Sequence, residues 1–126
     1  MSGDQIENAS VTSTLSGPVC RTDLIRAIND RCRATFLGCA VVVTAAFKAL
    51  PADLRTRALA AVRTFQDFDE GNDPYHEHDF AAFTVDGQEF MFKFDYYAPD
   101  MRHGSDDPSN VDKTRRVLTI MLASDY

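Results

Sequence analysis

The sequence predicts an α+β domain: two helices packed on one face of a mainly antiparallel sheet of about four strands, in the order α-β-α-β-β-β. Three observations carry this prediction. Apolar residues recur at three- and four-residue spacing through Leu24, Ile25, Ile28, Cys32 and Phe36, one stripe of a helix. Phe90, Phe92, Phe94 and Tyr96 alternate strictly, which puts all four on one face of a strand. Asp86-Gly87 stands just before that row and is a strong hairpin signal.

Taken in order, residues 1–20 are small and polar, so they bury too little to offset their ordering entropy and are expected as a flexible tail. Residues 21–126 are expected as a single domain. Thr22 suits the N-cap of the first helix, Asp23 favours its first turn, and Gly38 suits its stop. Residues 39–44 hold Val41, Val42 and Val43, and three β-branched residues in a row predict a buried strand. Residues 45–50 fit either a helical turn or a connection. Pro51 suits the first position of a second helix over residues 52–66, with Leu54, Ala58, Ala61, Val62 and Phe65 on its apolar face. Gly71, Asn72, Asp73 and Pro74 then mark a long loop. Strands follow over residues 80–85 and 88–97, with a second polar loop over residues 98–113. A last strand over residues 115–123 is apolar on both faces through Val117, Leu118, Ile120, Met121 and Leu122, which predicts a central position.

With 126 residues, 44% apolar and 25% charged, the chain is long enough for one core and ordinary for a globular protein. No apolar run approaches the roughly 20 residues of a membrane span. The three cysteines (Cys20, Cys32 and Cys39) fit neither a metal knuckle nor a framework of bridges, so free thiols in a reducing compartment are expected. The N-terminus carries no secretory pattern, and a cytoplasmic protein is expected.

Charge is the informative part. The net charge is −6, and it is unevenly spread: residues 67–107 hold twelve acids against Lys93 and Arg102. Such a field steers a basic partner at long range and repels nucleic acid. Arg21, Arg26, Arg31, Arg33, Arg55, Arg57 and Arg63 lie on the two expected helices. They would suit phosphate, yet an acidic chain argues against direct nucleic-acid binding and for solvated faces or internal pairing. Tyr75 and Tyr97 are surface candidates, while the alternating aromatic row belongs to the core.

All three histidines lie in the acidic half. His76 and His78 flank Glu77, and an H-x-H pair at the start of a strand would point both imidazoles to one side. With His103 or a carboxylate they could hold a divalent ion and activate water for hydrolysis. Without metal, either histidine beside Asp79 or Asp95 could act as a general base. The simpler expectation is that these histidines hydrogen-bond neighbouring carboxylates, with no cofactor and no catalysis.

Several stretches resemble a bacterial family catalogued as a domain of unknown function, number three-seven-six-eight. They are IRAIND at 25–30, VVVTAAFKALP at 41–51, FQDFDEGNDPYHEHDF at 65–80, KFDYY at 93–97, GSDDP at 104–108 and RVLTIMLASDY at 116–126. The resemblance covers roughly residues 22–126. It implies a protein of accessory and mobile elements and brings no catalytic residues with it. Small acidic proteins of such elements resemble anti-defence factors in kind. The leading expectation is therefore a non-enzymatic nucleic-acid mimic that docks on a basic protein groove of a CRISPR or restriction complex. Its contacts would be Asp67, Asp69, Glu70, Asp73, Glu77, Asp79, Asp100, Asp106 and Asp107. The alternatives are a metal-assisted hydrolase or nuclease at His76, His78 and His103, and a partner that self-associates through opposite charges.

Overall fold

The computed structural model describes residues 20–126. The expected tail therefore lies, apart from Cys20, outside the described residues. The elements are α1 (Arg21–Thr35), β1 (Ala40–Val43), α2 (Ala45–Lys48), α3 (Ala52–Thr64), β2 (Phe80–Val85), β3 (Gln88–Tyr97) and β4 (Arg115–Leu122). Short 3-10 turns stand at Val111–Lys113 and Ala123–Asp125. The class is α+β as expected, with three helices rather than two. The third, α2, is the segment left open by sequence; the Thr44 side chain caps it by accepting from the Phe47 N–H.

The strand order is β1-β4-β3-β2. β2 and β3 form the hairpin at Asp86-Gly87, and β3 pairs antiparallel with β4. β1 pairs with β4 in parallel, so the sheet is mixed. β4 is central, as its two-sided apolar pattern predicts. β1 is not the buried strand expected from its valines: it lies at the edge, and Val42 is 43% exposed.

Register explains the core. Val41 and Val43, Leu118 and Ile120, Phe90, Phe92 and Phe94, and Ala81 and Phe83 all fall on one face. The helices cover that face with Cys32, Phe47, Ala58 and Val62. Phe47 meets Phe90 edge-on at 5.8 Å, and Phe65 meets Phe92 at 6.0 Å. Each fully buried phenylalanine contributes roughly 1.5–3 kcal/mol relative to exposure. The other face carries Val42, Met91 and the Lys93–Asp95 ion pair at 3.0 Å.

Four helix boundaries differ from expectation. α1 starts two residues earlier, with Cys20 at the N-cap and no side-chain cap bond, so Thr22 lies inside the helix. It ends at Phe36, whose left-handed φ of 57° lets its N–H reach the Cys32 carbonyl; Gly38 at φ 83° makes a second left-handed turn. Pro51 is the N-cap of α3 rather than its first turn, and α3 stops at Thr64. The inward stripe of α1 also differs. Leu24 is 41% exposed, while Asn29 and Arg33 are buried beside Ile25 and Cys32.

Candidate functional site

The first acidic loop folds on its own polar side chains. Asp69 Oδ1 accepts from the N–H groups of Gly71 (2.8 Å) and Asn72 (2.9 Å), and Asn72 Oδ1 accepts from the Asp69 N–H at 2.8 Å. These reciprocal bonds are the usual means by which Asp and Asn hold a turn. The loop then tucks Asp73 inward, where its carboxylate accepts from the His78 N–H at 3.0 Å. His76 and His78 both take left-handed backbone, at φ 60° and 54°. For non-glycine residues this costs of order 1–3 kcal/mol each and persists only where surrounding contacts enforce it.

Those contacts are visible. The His78 ring stacks on Phe68 with centroids 3.8 Å apart. Its Nδ1 lies 2.8 Å from Asp30 Oδ1, and its Nε2 lies 3.5 Å from Asp73 Oδ2. Both ring nitrogens thus face carboxylates. Asp30 also pairs with the buried Arg33 at 3.1 Å, and Arg33 Nη1 donates to the Val62 and Phe65 carbonyls at the end of α3. A cation at a helix C-terminus opposes the negative end of the helix dipole. A cavity of about 430 Å³ opens beside this group, lined by Asp30, Arg33, Arg63, Phe65, Phe68 and His78 among others.

The second loop is joined to the first by a buried polar network. Asn29, fully buried, donates through Nδ2 to the Tyr96 hydroxyl oxygen at 2.7 Å and to the Glu77 carbonyl at 3.0 Å. The Tyr96 hydroxyl in turn donates to Glu77 Oε1 at 2.9 Å. Arg116 donates through Nε to Asn29 Oδ1 at 2.8 Å and through Nη2 to the Pro108 carbonyl, and its guanidinium lies 5.0 Å from the Tyr96 ring centroid. Glu77 in the first loop and Pro108 in the second are therefore held by one set of side chains. Burial holds the Glu77 and Asp79 carboxyls above the usual carboxylate range, lifts the Tyr96 phenol and lowers the Arg116 guanidinium. Asp100 and Asp107 shift the other way: the Arg102 N–H lowers the first, and the Ser109 hydroxyl lowers the second.

The expected contact residues divide by burial. Asp67, Asp69, Glu70, Asp100 and Asp106 are exposed, Glu77, Asp79 and Asp107 are half-buried, and Asp73 is buried. Asp73 is spent on its own loop, so it leaves the outward surface. The H-x-H pair precedes β2 instead of starting it. His76 is exposed and His78 is enclosed, while His103 sits on the second loop 3.0 Å from Asp100. Among the described residues no group of three His, Cys, Asp or Glu side chains is placed to hold a metal ion.

The helix arginines mostly serve the fold. Arg26 bonds Asp23 and the His76 carbonyl, and Arg55 bonds the Lys48 and Leu50 carbonyls. Arg57 pairs with Asp53 and Asp86, Arg63 bonds the Ala34 carbonyl, and Arg21 lies 3.7 Å from Asp107. Sequence reasoning missed Asn29, Asp30 and Arg116 as parts of the site. Two of them left a signal. Asn29 follows Ile25 by four residues on the apolar stripe, and Arg116 shares the parity of Leu118 and Ile120 in β4.

The model of one family, described as "Protein of unknown function (DUF3768)", matches residues 43–125. The chain belongs to that family. No curated protein and no solved structure matches it at a significant level. Among the described residues no helix is long and apolar enough to cross a membrane.

Proposed function

We propose that this family member is a non-enzymatic binding protein that docks its acidic loops on a basic protein surface. The observation that carries this reading is the Asn29–Arg116 network, which holds both acidic loops on one frame beside α1. Loops fixed in this way present their charges without a large ordering cost on binding. Asp67, Asp69, Glu70 and Asp106 take no part in the ion pairs of the described residues, so their charge is free to act outward. Internal use of Arg26, Arg33, Arg55, Arg57 and Arg63 supports the same reading, because it engages most of the helix arginines within the fold. The partner we propose is a Lys/Arg-lined groove that otherwise takes phosphates, as in a cytoplasmic CRISPR or restriction complex. Long-range attraction would speed the encounter and make it sensitive to salt.

The test combines Asp67→Lys, Glu70→Lys and Asp106→Lys, none of which has a side-chain role inside the loops. DNA cleavage by a panel of CRISPR and restriction complexes is measured with each protein present. The expected result is inhibition of at least one complex by the wild-type chain, weakened by rising salt and lost in the triple variant at unchanged far-UV circular dichroism. Full inhibition by a folded triple variant, or no inhibition of any complex by the wild type, overturns the proposal.

A further inference from the structure

One flank of α1 carries apolar surface that the core does not use. Leu24, Ile28 and Arg31 follow one another at four- and three-residue spacing, so they share one stripe of the helix. Leu24 is exposed, and Ile28 packs only partly against the core. A cavity of about 430 Å³ opens along this stripe, lined by Ile28, Arg31, Cys32, Leu37, Gly38 and Val111 among others. A second, of about 460 Å³, is lined by Gly38, Met101, Val111, Arg115 and Val117 among others. The two cavities share Gly38 and Val111, so they are neighbouring parts of one groove. It runs from the end of α1 past the second loop to the start of β4.

Two observations say what this groove takes. The first is its apolar rim. Leu37 is 72% exposed, Val111 60% and Met101 51%. Single exposed apolar side chains are ordinary, but a group of them around a groove marks a contact surface. The second is charge. The chain has a net charge of −6, yet no Asp or Glu lines either cavity, and three arginines do: Arg31, Arg115 and Arg116. Asp112 is next to Val111 in sequence but lines neither. Arg116 is engaged by Asn29 and the Pro108 carbonyl. Arg31 and Arg115 are exposed and take no part in the ion pairs of the described residues. A free guanidinium beside apolar surface suits a carboxylate that neighbours an apolar side chain. A basic segment in the same place would set like charges against Arg31 and Arg115, which disfavours it.

We propose that this groove is a docking surface for an acidic, apolar segment of a partner protein. The segment's apolar side chains fill the space between Ile28, Leu37, Val111 and Met101, and its Asp or Glu carboxylates pair with Arg31 and Arg115. The chain then offers two surfaces of opposite sign: acidic loops for a basic groove, and this groove for an acidic segment. The inference stands independently of the reading of the loops.

The experiment pans the full chain against a display library of random dodecapeptides. The most enriched sequence is synthesised and titrated into the protein by calorimetry and by NMR. The expected result is enrichment of peptides that set Leu, Ile or Phe beside Asp or Glu. Amide shifts should concentrate at residues 27–38 and 111–117, and affinity should fall with rising salt. Leu37→Asp, and the pair Arg31→Glu with Arg115→Glu, should each weaken binding about tenfold or more. All three positions are exposed, so these variants should keep the wild-type far-UV circular dichroism. The Asp67→Lys, Glu70→Lys, Asp106→Lys variant should bind the peptide as tightly as the wild type. No enriched peptide, enrichment of basic peptides alone, undiminished binding by folded Leu37→Asp, or equal loss in the loop variant overturns the proposal. Self-association of the free chain that Leu37→Asp abolishes would put a second copy in the groove, and overturns it too.

Discussion

Truncating Asn29 to alanine removes three hydrogen bonds at once from a fully buried position. The Arg116 bond at 2.8 Å involves a charged donor, for which about 1.5–3 kcal/mol is typical. The bonds to Tyr96 (2.7 Å) and the Glu77 carbonyl (3.0 Å) are neutral, at about 0.5–1.5 kcal/mol each. Tyr96 keeps its bond to Glu77, so part of one neutral term is recovered. The Arg116 Nε has no such substitute and is left buried. The expected loss is about 3–4 kcal/mol, a large share of the roughly 5–15 kcal/mol typical of a domain. At this length the midpoint of thermal unfolding should fall by roughly 10–15 °C.

Urea unfolding followed by circular dichroism measures the loss, with an unchanged slope marking a true stability effect. Amide hydrogen exchange supplies the second readout: protection should drop in residues 66–79 and 98–110 together, because one network holds both loops. In a cycle with Arg116→Met, the double variant should lose less than the sum of the singles. A loss below about 1 kcal/mol, or deprotection of only one loop, would refute the reasoning that a single network carries both.

Glu77→Gln keeps an acceptor for the Tyr96 hydroxyl and removes a carboxyl that burial holds above its usual range. Such a carboxyl binds its proton more tightly when folded, so its stabilising contribution is full below the unfolded value near 4.5 and is lost as pH rises through the raised folded value. The stability gap between variant and wild type should therefore move in favour of glutamine from pH 4 to pH 7; a gap that is flat across this range in matched urea titrations would contradict the burial of Glu77. Gly38→Ala and Gly87→Ala should each cost about 1–2 kcal/mol, because both positions have left-handed backbone, at φ 83° and 80°, and an unchanged thermal midpoint in either variant would count against that turn. Phe92→Ala opens a void at a fully buried site under α3 and should cost about 3–5 kcal/mol, read by urea unfolding. A loss under about 1.5 kcal/mol would mean that the helices collapse onto the gap.

Much of the fold was legible because its signals are local. The Phe90–Tyr96 alternation, the Asp86-Gly87 turn and the two-sided apolar run of β4 each report a strand position without reference to the rest of the chain. The parallel β1–β4 pairing was not legible, since nothing in the run of valines says which strand it will meet. That same run suggested burial on both faces, whereas its short length and edge position leave Val42 facing out. The site was legible as charge and not as geometry. Composition located the acidic loops, but only the folded chain shows Asp73 turned inward and His78 held between Asp30 and Asp73. Polar residues on apolar stripes, such as Asn29, read from sequence as imperfections; here one of them ties the two loops together.

The central position of β4 has a consequence for how the chain is made. β1, β2 and β3 emerge from the ribosome first, yet β1 touches the rest of the sheet only through β4. Phe92 and Phe94 pair with Ile120 and Leu118, so the aromatic row lacks one flank until those residues exist. A nascent chain that has reached Lys113 can close the β2–β3 hairpin and little else of the sheet. Contacts of such long sequence separation slow folding and prolong the time that apolar surface stays open. The sheet is therefore completed only once β4 has been made, and a ribosome stalled before residue 115 holds a chain whose phenylalanines are bait for chaperones.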